Sequence, residues 1–166
     1  MDAFTSAHNF TDAEYNRVMG INLTAPLSLM RAVTPHMLSQ KYGRIINICS
    51  KASLSGASAG IAYTVSKHGL LGATKHAAFR YKNDGITVNA VLPGSVGTNI
   101  STSIQAQMDM ESFMVCQPVH ALNKIEGKEI AVTAEEVARA VVFLAGEGSG
   151  AISGVALPVD CAWSTV

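Results

Sequence analysis

Two short and almost wholly apolar runs, Arg44-Ile45-Ile46-Asn47-Ile48-Cys49 and Thr87-Val88-Asn89-Ala90-Val91-Leu92, constrain this chain more than anything else in it. Neither alternates apolar with polar residues. Each therefore reads as a strand buried on both faces, the pattern of a parallel sheet rather than a half-solvated antiparallel one. Parallel neighbours need a long crossover, usually a helix. The intervening residues supply one: a Ser/Ala/Gly-rich loop from Lys51 to Gly60, helical spacing from about Ile61 to Tyr81, and the turn Asn83-Asp84-Gly85. Ala73, Ala77 and Ala78 on that helix allow close packing against a sheet or a partner helix.

The flanking segments extend the alternation. Thr11-Asp12-Ala13-Glu14 is a capping-box pattern, and Val18, Ile21, Ala25, Leu29 and Ala32 follow it at helical spacing until Lys41-Tyr42-Gly43. A second capping box, Thr133-Ala134-Glu135-Glu136, opens a helix that runs to about Ala145. Val155 to Val159 is a last apolar segment, and its Pro158 suits an edge strand. Asn99 to Ile130 has no firm periodicity and carries Met108, Met110, Phe113 and Met114. The fold class is α/β with a parallel sheet, in one unit spanning 1–166, without repeats or linkers.

The chemistry lies in Tyr63-Thr64-Val65-Ser66-Lys67, with Ser50 thirteen residues before the tyrosine. Tyr63 and Lys67 share one face of a helix, a turn apart. An ammonium beside a phenol stabilises the phenolate and is expected to lower a pKa of about 10. Tyr63 would then give and take protons near neutral pH. Ser50 follows the first apolar run, at the carboxyl end of a strand, where catalytic groups of open α/β sheets sit. Asn22 stands four residues before Pro26, which has no N–H to bond the Asn22 carbonyl, so a kink is expected there.

The order strand, Ser, Tyr-x-x-x-Lys, strand, Pro-Gly resembles the short-chain dehydrogenase/reductase family over essentially the whole chain. The resemblance implies a doubly wound, Rossmann-like sheet and a catalytic set of Asn22, Ser50, Tyr63 and Lys67, with Asn22 holding a water that links Lys67 to solvent. It implies hydride transfer between a carbonyl compound and a secondary alcohol, with NAD or NADP as cofactor. Tyr63 and Lys67 would also meet the cofactor, Lys67 at the nicotinamide ribose. Pro93, Gly94, Val96 and Thr98 would form the loop over the nicotinamide, with Thr98 on the carboxamide, and Gly94 and Gly97 would let the backbone pass close to a ring or phosphate. The Met-rich Asn99–Ile130 segment stands where the family has its substrate lid.

The chain departs from the family in three places. It has no G-x-G-x-x-G after an opening strand, and no acidic residue about 20 positions further on. It lacks the Asn-Asn-Ala-Gly segment. It has Asp160-Cys161-Ala162 where the family has Asp-Gly-Gly, which strains the turn if either position needs positive φ. The resemblance is thus to the family's second part, without its first strands or glycine-rich turn. NAD cannot be separated from NADP, the Arg44–Cys49 strand is expected to present an unpaired edge, and the chain by itself is not expected to bind dinucleotide or transfer hydride. The competing reading is a truncated, non-catalytic remnant that acts only as an oligomer partner.

Other classes find little footing. Gly56-Ala57-Ser58-Ala59-Gly60 fits the serine-hydrolase elbow, but a loop of small residues separates it from the strand, and no local motif supports Asp84, Asp109 or His120 as partners. The histidines lack metal-ligand spacing, and no metal is expected. Twelve acidic and twelve basic residues balance, which gives no cue for nucleic acid or an anionic membrane surface. No apolar run is long enough to span a bilayer. Cys49, Cys116 and Cys161 are odd in number and widely spaced, and with no signal-like start this suggests a reducing cytoplasm. Charged residues are only 14% of the chain, which points to covered faces. The resemblance implies a homo-oligomer through the first two helices.

Overall fold

The computed structural model describes residues 2–98 and 108–166. The helices are α1 (Asp12–Met19), α2 (Ala25–Gln40), α3 (Ile61–Arg80), α4 (Met110–Ala121) and α5 (Ala134–Ala145). The strands are β1 (Gly43–Ile48), β2 (Ile86–Pro93), β3 (Lys124–Ile125), β4 (Lys128–Glu129) and β5 (Ala156–Val159). β1, β2 and β5 form a parallel sheet in the order β1-β2-β5, with Gly43 opposite Ile86 and Ala90 opposite Ala156. Pro158 lies on the edge strand β5, opposite Leu92. β1 is the other edge, as its sequence led one to expect.

Strand pleating assigns the two faces. Ile45, Ile86 and Val88 pack on Ala77 and Ala78 of α3 with Met30 and Met37 of α2, and Cys49, Ala90 and Leu92 pack on Leu70 and Leu71. Arg44, of opposite parity, reaches Gly150 beyond α5, so α5 takes the other face. β2 is enclosed by both layers and both neighbours, and Val88, Ala90, Val91 and Leu92 are 0% exposed. Buried Asn89 sits there because its amide bonds the Ile152 carbonyl (2.8 Å) and the Val155 N–H (3.1 Å), tying β2 to the approach to β5. Gly85 closes the turn into β2 at φ 72°, with the Lys41 carbonyl where a Cβ would lie.

Several local readings change in detail. The Thr133 box forms in both directions, with Glu136 N–H to Thr133 Oγ1 and Thr133 N–H to Glu136 Oε2. The Thr11 box forms in one direction, because the Glu14 carboxylate accepts from the Thr5 hydroxyl (2.8 Å) instead. The apolar stripe read on the first helix is largely open: Val18 is 2% exposed, but Ile21 is 59% and Leu29 66%. Those side chains border an apolar groove of about 560 Å³ between α2 and the free edge of β1. The aperiodic segment contains α4, capped by Asp109 on the Ser112 N–H, and a β3–β4 hairpin turned by Glu126 and Gly127 at φ 50° and 76°.

After β5, Cys161 and Ala162 adopt φ 52° and 69°, the left-handed region feared from the missing glycines. Such a residue costs roughly 1–2 kcal/mol, and glycine's extra freedom when unfolded takes back about 0.5–1 kcal/mol. Both side chains are exposed, so little packing is at stake. Cys161→Gly should therefore raise the unfolding free energy by about 0.5–1 kcal/mol in urea titrations. An unchanged or lower midpoint would show that the turn is not strained.

Candidate active site

Three of the four expected catalytic side chains meet at the carboxyl end of β1. Ser50 follows the strand in extended conformation and caps the single 3-10 turn Lys51–Ser53, accepting from the Ala52 N–H (3.2 Å). Its hydroxyl hydrogen-bonds Tyr63, in the first turn of α3. Lys67 lies one turn on, with Nζ 5.5 Å from the Tyr63 ring centroid, donating to the Ile48 carbonyl at 2.9 Å.

Asn22 approaches from the opposite helix. Residues Gly20–Thr24 form a π turn between α1 and α2, in which the Ala25 N–H bonds the Gly20 carbonyl. Pro26 follows immediately, so the expected kink takes the form of one wide turn. Asn22 donates to Ser66 Oγ (3.3 Å), and Asn22 and Lys67 line the same groove beside Ile48.

Electrostatics run against one expectation. Burial pushes the Tyr63 phenol above its ordinary value, the Ser50 hydrogen bond pulls it back, and nearby Asp2 and Cys49 add to the rise. The expected lowering by Lys67 does not prevail. Its ammonium is committed to a carbonyl over the ring, and burial lowers the pKa of Lys67 as well. Desolvation here outweighs a single neighbouring charge.

The Pro93–Thr98 loop leaves the end of β2. It is held by Gly94 N–H to the Val159 carbonyl (3.1 Å), Val132 N–H to the Ser95 carbonyl (2.8 Å) and Gly97 N–H to the Val132 carbonyl (3.2 Å). Gly94 is needed for a reason the sequence reading did not foresee: a Cβ would meet the side chain of Asp160. A Cβ on Gly97 would meet no other group within 4 Å. Residues 94–98 line a cavity of about 540 Å³ with Phe4, Phe113, Gln117 and His120. Of the expected lid, positions 99–107 lie outside the described residues.

Asp2 is a site residue that sequence reasoning missed. It belongs to a segment read only as a polar lead-in, yet it is 8% exposed. Its carboxylate accepts from the Gly60 N–H (2.8 Å) and the Phe4 N–H (3.1 Å), capping α3, the helix that carries Tyr63 and Lys67 and whose own N-cap residue has no side chain. Thr5 accepts from the Ile61 N–H and Ala3 from the Asp109 N–H, so residues 2–9 strap the start of α3 to the start of α4. A Cβ on Gly60 would collide with this strap.

The hydrolase alternative fails on geometry. Ser58 Oγ and His120 Nε2 are both buried and both without a hydrogen-bond partner, so no nucleophile–base pair exists. Among the described residues no His, Cys, Asp and Glu cluster could hold a metal, and no helix is long and apolar enough to cross a membrane.

Comparison with known proteins agrees with this geometry. The profile of the family described as Enoyl-(Acyl carrier protein) reductase matches residues 2–164. The short-chain dehydrogenase/reductase cdmF of Talaromyces verruculosus is 47% identical over 170 residues, which cover 100% of this chain and 66% of that protein. The chain belongs to the short-chain dehydrogenase/reductase family. Asnovolin H dehydrogenase nvfC of Aspergillus novofumigatus is 43% identical over 169 residues, covering 100% of this chain and 66% of the relative. Among solved structures, levodione reductase superposes with a TM-score of 0.83 at 26% identity, covering 98% of this chain and 62% of that one. ElxO with NADP bound gives 0.78 at 28% identity, covering 98% and 62%. The chain therefore spans about two-thirds of the curated relatives it matches, and these are named as dehydrogenases or reductases, which lends the remnant reading no support.

Burial raises the Asp2 pKa from an ordinary 3.8, against the pull of its two backbone hydrogen bonds. A carboxyl with a raised folded-state pKa contributes stability that is complete below its ordinary value and is lost as pH rises through the folded one. Asp2→Asn keeps an acceptor for the Gly60 N–H and cannot ionise. Urea midpoints at about pH 4 and about pH 7 should therefore show the variant gaining on the parent as pH rises. A constant difference between the two proteins would mean that the Asp2 carboxylate is not under strain.

Proposed function

We propose that this chain carries the proton-transfer and nicotinamide-facing half of an NAD- or NADP-dependent oxidoreductase interconverting a carbonyl compound and a secondary alcohol. The observation that carries the reading is the convergence of Ser50, Tyr63 and Lys67 at the end of β1, with Ser50 hydrogen-bonded to Tyr63. Ser50 and Tyr63 hold the substrate oxygen between two hydroxyls. In reduction the Tyr63 O–H passes its proton to that oxygen as the carbonyl carbon becomes tetrahedral; in oxidation it receives the proton back. A phenol raised by burial is protonated at neutral pH, the form that can give its proton in reduction.

The nicotinamide, when bound, supplies or receives the hydride. Lys67 has its ammonium aimed at the end of β1 for a ribose hydroxyl, and Pro93, Gly94, Val96 and Thr98 present backbone and a hydroxyl beside it. Asn22, in the π turn and one groove with Lys67, suits the water link to solvent. The structure bound to NADP among the similar proteins supports the cofactor class. Its phosphate form stays open here, since it is read by adenosine contacts that none of these residues make.

In a version carrying a glycine-rich dinucleotide-binding segment ahead of Asp2, Tyr63→Phe should fold normally and lose roughly 10²–10⁴ in turnover, the usual worth of a positioned acid/base. Turnover within about tenfold of the parent would remove Tyr63 from the mechanism.

The partner is a second copy of this chain, through α2 and α3. Leu27 (39% exposed), Leu38 (37%), Val65 (43%) and Phe79 (72%) leave apolar surface open on these helices. Large exposed apolar patches mark association surfaces. Sedimentation at about micromolar concentration should give a dimer or larger, and a compact monomer would contradict the assignment.

A further inference from the structure

Asn22 and Tyr63 are joined through a residue with no part in the proton transfer itself. Ser66 stands on α3 immediately before Lys67 and is 0% exposed. Its hydroxyl donates to the Tyr63 carbonyl at 2.7 Å, a bond back to the residue three positions earlier. A carbonyl oxygen has no hydrogen to give, so the direction of this bond is fixed. The hydroxyl's one hydrogen is thereby spent, and Ser66 Oγ can only accept. It accepts from Asn22 Nδ2 at 3.3 Å.

That bond fixes which way round the Asn22 amide stands. The NH2 and the oxygen of an amide are nearly alike in shape, and their hydrogen-bond partners decide between the two orientations. With the oxygen turned toward Ser66, two acceptors would meet with no hydrogen between them. With NH2 there, Oδ1 is the end left for the groove that half-buried Asn22 lines together with Lys67 and Ile48. The π turn brings the amide close. Leu23, the next residue, seats on α3 at Gly69, where a Cβ would lie 3.0 Å from Leu23 Cδ2. Ser66 and Gly69 are one helical turn apart, so two small residues form the face that receives Asn22 and Leu23.

Polarity decides what that end can do. Lys67 Nζ carries three N–H donors, and one goes to the Ile48 carbonyl at 2.9 Å. A water bonded to the ammonium accepts from it and keeps its own hydrogens to give, so the next group on a path to solvent has to accept. An amide oxygen meets that demand and an NH2 does not. We propose that Ser66 is a positioning residue, which holds Asn22 with Oδ1 rather than NH2 toward the groove it shares with Lys67. This deepens the reading of Asn22 as the water link, on which it rests, by naming the group that sets the polarity of the link.

Side-chain amide NMR of the purified, isotope-labelled chain tests this without cofactor or turnover. The Asn22 NH2 pair is identified by its loss in Asn22→Asp, and in the parent it should show a nuclear Overhauser contact to the Ser66 Cβ protons. Ser66→Ala removes the acceptor and little volume, and should speed exchange of the Asn22 NH2 with water about fivefold, the worth of one hydrogen bond. The second readout is one that a serine which merely fills space would not move: the titration of the Lys67 ammonium, followed through its own side-chain signal and identified by Lys67→Met. With the amide free to turn, its NH2 end faces the ammonium part of the time, and the Lys67 midpoint should fall. The other influences on Lys67 are burial, the Cys49 thiol and the Tyr63 ring 5.5 Å away, and the substitution alters none of them. Unchanged amide exchange or an unchanged Lys67 midpoint in a folded Ser66→Ala would each overturn the assignment. Should that variant not fold, the Overhauser contact in the parent decides alone, and its absence overturns it. No readout depends on proton transfer by Tyr63, so a failed Tyr63→Phe test and a failed Ser66 test remain distinguishable.

Discussion

The rest of the structure depends on the complete enclosure of β2. A strand with 0% exposure along Val88, Ala90, Val91 and Leu92 must have helices on both faces and strands on both sides. That requirement puts α3 against one face and α5 against the other, and makes the connections parallel crossovers. It also decides where chemistry can sit. Both loops that leave the carboxyl ends of β1 and β2, one with Ser50 and one with Pro93 to Thr98, emerge at the same end of the sheet. The buried amides inside this enclosure are bonded, Asn89 to the Ile152 carbonyl and the Val155 N–H and Asn47 to Thr74 Oγ1 at 2.8 Å.

Around that end, burial does more to the titrating groups than their mutual charges do. Tyr63 and Asp2 are raised and Lys67 lowered, and in each the first cause is loss of water. The lysine lies near the phenol, but its ammonium is held by the Ile48 carbonyl rather than by the phenol oxygen. A substrate oxygen and a ribose hydroxyl would change this balance by supplying hydrogen bonds to the charged forms. The N-terminal strap adds a further layer, since the helix that carries Tyr63 and the helix that carries His120 are both bonded to residues 2–9.

Much of this was legible in the residues. The parallel pair, the crossover helix, the edge role of Pro158, the two capping sites and the Ser50, Tyr63 and Lys67 grouping all follow from local rules: burial period, cap chemistry and helical spacing. The strain at Cys161 and Ala162 was also visible, because positive φ is a property of single residues. Other features were invisible because they depend on partners distant in sequence. Nothing in Asp2 announces a helix cap, since Gly60 is brought to it by the fold. α4 gave no signal because neither a continuous apolar face nor a buried residue marks it. The exposure of Ile21 and Leu29 could not be read either, because period alone cannot say whether a covering layer is present.

The sequence by itself determined the class of sheet, the order of its elements and the grouping of Ser50, Tyr63 and Lys67, since these are written in nearest-neighbour spacing and side-chain chemistry. Only the tertiary structure decided the charge state favoured by Tyr63, the purpose of Gly94 and the bonding of His120. Each of those depends on how much water is excluded and which remote atoms fill the space. For His120 the rings of Phe4, Phe113 and Trp163, separated widely along the chain, close around the imidazole, and its Nε2 is left without a hydrogen-bond partner.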